Sequence, residues 1–182
     1  MADTNTKRAN GVLAPTEAFP FPTLPVSLPR LLDVTQAMIA HGTSYKLGAK
    51  AASLTMAPGN IGKIDCSGYV RYALFQASGL RLTDGSVNQH DWIKEQGFKR
   101  STVEAGKLND GALRIAFLTP TAGGGVGHVM LIHSARTLES HGGVGVSRRA
   151  WNPDQYSFMG KCSVYVLTPP TSEKSSGKTD GK

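Results

Sequence analysis

Cysteine is scarce in this chain, with only Cys66 and Cys162 among 182 residues. A disulfide scaffold is thereby excluded, and at most one bridge could form in an oxidising compartment. Spacings such as C-x-x-C or H-x-x-x-H are missing, so zinc has no paired ligands to organise it, although one cysteine and two histidines are chemically legitimate ligands. Long apolar runs are missing too: nothing approaches the roughly 20 residues a membrane span needs. The polar stretch Met1 to Asn10 leads into no apolar segment of the secretory kind. The expectation is a chain that is soluble, lacks an ordinary signal peptide and is made in the cytoplasm. Paired aromatic platforms, zinc-finger spacings and glycine-rich phosphate loops are likewise absent, which leaves nucleic-acid binding with no support beyond charge.

The charge itself is +7, and residues 30–170 carry 15 Lys and Arg against 9 Asp and Glu, so +6 belongs to the presumed folded body. Such a surface attracts anionic polymers, bacterial envelopes included, or serves solubility alone.

The length fits one domain with one active site, and a monomer is expected. Five of the ten prolines fall between Pro15 and Pro29, so residues 1–29 read as an extended leader or strap that cannot form a regular helix. Residues 171–182 contain Ser, Gly, Lys and Asp but no hydrophobic residue and read as a disordered tail. Between them, 30–170 is the expected domain.

Leu31, Leu32, Val34, Ala37, Met38 and Ala40 recur at helical spacing, with Gly42 as a stop. A second helix is predicted from Asp65 or Cys66, since Val70, Ala73, Leu74 and Ala77 share a face and Ser78-Gly79 ends the pattern. Ser86 can cap a third, running to about Gln96. The period then changes. Leu113–Leu118, His128–His133, Thr137–His141, Val144–Arg148 and Cys162–Leu167 read as short strands separated by turn residues. Helices first and strands afterwards predict an α+β domain with an antiparallel sheet.

Cys66 is the residue placed for chemistry. Thiolate is the nucleophilic form, and the unpaired N–H groups of a helix's first turn favour an anion there. Gly68 would leave room for a substrate backbone, while Ser67 is as readily a first-turn amide partner as a functional group. Cys162 opens an apolar alternation and reads as a core residue. His128 begins an apolar strand after the glycine turn Gly123–Gly125, where it can face a cleft. His133 is five residues on, hence on the opposite face, and reads as a bystander. A tight connection after His133 would return His141 to the side of His128. Cys66, His128 and His141 then fill the roles of nucleophile, base and orienting group. His41 and His90 read as surface or cap residues; Trp92 and Trp151 read as core, with a groove as the less common use.

Asp65-Cys66-Ser67-Gly68-Tyr69-Val70 resembles the cysteine motif of the NlpC/P60 family, and Gly127-His128-Val129 resembles its histidine strand. The family's third polar residue lies about a dozen positions after the histidine, and His141 is thirteen after His128. Gly42-Thr43-Ser44-Tyr45-Lys46-Leu47-Gly48 is similar to the family's tyrosine segment. The resemblance, over about residues 30–167, implies a papain-like fold in which N-terminal helices pack on a central antiparallel sheet. It implies no cofactor and no metal. Tyr45 would join the Cys66 backbone N–H in stabilising an oxyanion, and Asp65 and Ser67 would contact the substrate's free amine or merely cap the helix. The activity implied is that of a cysteine peptidase or amidase cutting peptidoglycan stem peptides, at a D-glutamyl to diaminopimelate bond. The alternative is a non-catalytic wall-binding module on the same fold. Because the wall lies outside the cytoplasm, a phage lysis enzyme or a delivered antibacterial toxin is expected, the latter with an immunity protein plugging the cleft.

Overall fold

The first helix, α1 (Leu28–His41), begins where Ser27 accepts a hydrogen bond from the Arg30 N–H, and ends at Gly42 in the left-handed conformation (φ 74°). It starts two residues before the expected domain boundary, because Pro29 sits in the first turn, where a missing N–H costs nothing. The computed structural model describes residues 20–119, 127–155 and 160–171. The expected glycine turn at Gly123–Gly125, the leader up to residue 19 and the tail from residue 172 lie outside the described residues. The described part of the leader is extended: Leu24 N–H bonds Leu167 O at 2.8 Å and Ser27 N–H bonds Ala77 O at 2.9 Å.

Two two-residue strands, β1 (Ser44–Tyr45) and β2 (Lys63–Ile64), pair in parallel. They are too short to leave a periodic trace in the sequence. Helix α2 (Cys66–Ser78) follows immediately, capped by Asp65 and ended by Gly79 at φ 76°. It is buried almost all round, unlike the one-sided helix expected from its apolar stripe. The reason is a pair of tyrosines that turn polar tips inward with satisfied hydroxyls. Tyr69 Oη lies 2.7 Å from Thr35 Oγ1, and Tyr72 Oη donates to Met56 O at 2.5 Å. Each such ring contributes on the order of 2 kcal/mol of burial to the position of α2.

Helix α3 (Ser86–Glu95) has Gly85, not Ser86, at its N-cap. The Ser86 hydroxyl is engaged elsewhere: it donates to Gly127 O at 3.0 Å and ties the start of α3 to the residue before His128.

The remaining strands are β3 (Arg100–Ser101), β4 (Leu113–Thr119), β5 (His128–His133), β6 (Arg136–His141), β7 (Gly145–Ser147) and β8 (Lys161–Thr168). They form one six-stranded sheet in the order β3-β8-β4-β5-β6-β7, each neighbouring pair antiparallel. One face carries Ile115, Phe117, Val129, Leu131 and Leu138 against α1 and α2. The other carries Ala116, Leu118, Met130, Ile132 and Val164 with Trp151. Trp151 is therefore core, its indole N–H donating to Val103 O at 2.9 Å. Cys162 packs on this second face, and burial pushes its thiol up to about 11. Both cysteines are free. The fold is α+β, helices packed on an antiparallel sheet, as the order of periods predicts.

β5 and β6 are joined by two residues, Ser134 and Ala135, both with positive φ (50° and 56°). That is the geometry of a type I′ hairpin, made here without the usual Asn-Gly. β7 is held from outside by β1: Val146 N–H bonds Thr43 O at 3.0 Å. Gly145 permits this approach, since a Cβ there would stand 2.3 Å from Thr43 O.

Candidate active site

The first turn of α2 is built around the Asp65 carboxylate. Oδ1 accepts from Gly68 N–H (2.7 Å) and Ser67 Oγ (3.2 Å), and Oδ2 accepts from Gly48 N–H (3.0 Å) and Lys50 Nζ (2.5 Å). Lys50 also reaches Ser67 Oγ at 3.0 Å and Asp84 at 3.3 Å. Asp65 and Ser67 thus serve as cap and as anchor for the 48–50 loop, and every Asp65 oxygen already has donors. Gly68 leaves room for that loop, not for a substrate: a Cβ would meet Lys50 Cδ at 2.8 Å and Ala49 O at 2.9 Å. Lys50, which no periodicity marks, is the cation that offsets the enclosed Asp65 charge.

Cys66 is 4 % exposed and opens this turn at the wall of a cleft of about 420 Å³, shared with Leu47, Lys50, Asp84 and Asn88. His128, at the start of β5, neighbours Cys66, whose side chain favours the charged imidazole. Its Nε2 lies 2.8 Å from Glu139 Oε2, so Nδ1 is the nitrogen left for the thiol. Glu139 is fully buried, and its other oxygen accepts from Arg149 Nε at 3.2 Å and Nη2 at 2.9 Å. Burial works against the imidazolium, but the bonds to Cys66 and Glu139 and their charges outweigh it, and His128 is raised to about 9. Burial alone would raise Glu139; its bonds to His128, Thr137 and Arg149 hold it down to about 2.

The sequence places His141 in the orienting role; in the structure the bond to His128 comes from Glu139. The register runs His133↔Arg136, Ile132↔Thr137 and Leu131↔Leu138, and continued in step it would set His141 opposite His128. Past Leu138 β6 pairs with β7, with Glu139↔Ser147 and His141↔Gly145. His141 Nε2 is enclosed with no hydrogen-bond partner among the described residues, and burial followed by the Arg149 charge lowers its pKa. Ser140 Oγ donates to Ile64 O at 2.9 Å and fixes β6 against the strand that leads into Cys66.

Tyr45 is half-buried beside this turn; burial first, then the negative charges of Cys66 and Asp65, raise its phenol. On the far side of His128 a second hollow of about 250 Å³ is lined by Val87, His90, Lys94 and Phe117. His90, expected as a surface or cap residue, is half-buried: its ring stacks on Phe117 at 4.7 Å and its Nε2 lies 3.1 Å from Tyr165 Oη. His133, at the other end of β5, faces Ala112 O at 3.3 Å. His41 is exposed and Trp92 packs at the core margin.

A cysteine at a helix start, an imidazole beside it and a carboxylate bonded to that imidazole are the side chains a thiol acyl-transfer site uses. Among the described residues no three His, Cys, Asp or Glu side chains are placed to hold a metal ion, and no helix is long and apolar enough to cross a membrane. No curated protein matches the chain. The model of the NlpC/P60 family matches residues 42–160, a span that takes in Tyr45, Cys66, His128 and Glu139. Members of that family are in general cysteine peptidases or amidases acting on peptidoglycan, and the three helices and antiparallel sheet fit its papain-like fold. With about two thirds of its length matched by that model, the chain belongs to the NlpC/P60 family.

Proposed function

We propose that this protein is a cysteine endopeptidase that cuts peptidoglycan stem peptides, with Cys66 as nucleophile, His128 as base and Glu139 as the group that orients His128. The observation that carries the reading is the His128 imidazole, bonded to buried Glu139, beside Cys66 at the wall of an open cleft.

In this mechanism His128 takes the Cys66 proton and the thiolate attacks the peptide carbonyl carbon. The tetrahedral oxyanion is met by the Cys66 backbone N–H and the Tyr45 hydroxyl. As the C–N bond breaks, His128 gives its proton to the departing amine and a thioester remains on Cys66. Water then attacks the thioester, His128 accepts its proton, and the carboxylate product leaves with the thiol restored. The bond cut is the D-glutamyl to diaminopimelate link, as in many family members. Asp65 and Ser67 act through Lys50 and the helix cap rather than by holding a substrate amine.

The place of action is the cell wall, whose anionic polymers suit a chain of charge +7. The biological role is that of a delivered toxin or a lysis enzyme, for which an inhibitor protein closing this cleft is the natural partner. Directing the protein to the periplasm of a test bacterium checks this: wild type should lyse the cells and Cys66→Ala should not. Equal survival with both would contradict it.

A further inference from the structure

We infer that a second site, between α1 and β7, binds an oxyanion, a carboxylate or phosphate group carried by a larger molecule. A cavity of about 670 Å³ lies between α1 and β7, lined by Gln36, Ser44, Arg136, Val144, Ser147 and Arg148 among others. It shares no lining residue with the cleft around Cys66. Among the described residues, its only formally charged lining residues are two arginines.

Arg148 is half-buried, and among the described residues no carboxylate pairs with it. Its Nε is enclosed without a hydrogen-bond partner among the described residues, and so is the adjacent Ser147 Oγ. The neighbouring arginines differ: Arg149 is engaged by Glu139, and Arg114 by Asp110. Enclosed polar groups are paired as a rule, and a guanidinium held in a cavity beside a second one is compensated most directly by an anion. The planar fork matches the two oxygens of a carboxylate or phosphate. The cavity is much larger than one such group, so the group arrives as part of a bigger ligand.

The test is a titration of the full chain, followed by amide chemical shifts, with inorganic phosphate and separately with acetate, each against chloride at matched ionic strength. Saturable shifts at residues 42–44 and 144–148 are expected. Arg148→Gln should abolish them, and Arg136→Gln, at an exposed position less able to disturb folding, should weaken binding several-fold. Tighter binding of acetate would identify a carboxylate source, and of phosphate a phosphate source. No saturable shift with either anion, or identical titrations in wild type and both variants, would overturn the inference. Because the readout is binding, it is independent of whether Cys66 turns over peptide.

Discussion

Glu139 Oε2 lies 2.8 Å from His128 Nε2, while the other Glu139 oxygen is held by the fork of Arg149. The carboxylate is thus fixed before it fixes the imidazole. Glu139→Gln should keep the fold and lower kcat on the order of 10³-fold with little change in KM, because the wrong tautomer of His128 would face the thiol. His141→Ala should cost less than tenfold on the same scale. Kinetics of both variants on a soluble stem peptide decide between the two orienting residues, and a larger loss for His141→Ala would reverse the assignment.

His128 is raised to about 9 from an ordinary 6.5, so folding favours its charged form. That contribution to stability is fully present below about pH 6.5 and is lost as pH rises through about 9. Glu139 is lowered to about 2 from 4.5, so its contribution is present above pH 4.5 and is lost as pH falls through about 2. Denaturant midpoints measured against pH should therefore decline on the alkaline side between those His128 values. In Glu139→Gln the folded-state His128 pKa should fall, so the decline, which still begins near pH 6.5, should end at lower pH and be smaller; an unchanged alkaline limb would count against the coupling.

Gly68→Ala places a Cβ against Ala49 O and Lys50 Cδ in the turn that presents Cys66. The lysine can move but the backbone carbonyl cannot easily do so. A loss of about 1–3 kcal/mol is expected, of the size overpacking produces, and thermal unfolding would measure it.

Ser134 and Ala135 both occupy positive φ in the hairpin that sets the β5–β6 register. Replacing them with Asn and Gly should relieve about 1–2 kcal/mol and raise Tm by a few degrees. An unchanged or lower Tm would mean that the turn is not strained by its side chains.

The start of α2 is legible because a capping aspartate, a glycine stop and a 3.6-residue period coincide there, and the long strands are legible as short apolar runs bounded by turn residues. The bond from Glu139 to His128 is not, because alternation along a strand assumes one partner to its end, whereas β6 exchanges β5 for β7 after Leu138. Lys50 escaped for another reason: it comes from a loop, and only the closure of residues 48–50 onto Asp65 gives it a partner. Likewise Ser86 carries the side chain of a cap but spends it on Gly127, a contact 41 residues away.

The most direct test is digestion of purified peptidoglycan by wild type, Cys66→Ala and Glu139→Gln, with the released fragments sequenced by mass spectrometry. The account predicts new amino termini at the diamino acid with wild type, none with Cys66→Ala, and the same fragments at a much lower rate with Glu139→Gln. Fragments released by Cys66→Ala, or none released by the wild type, would contradict it.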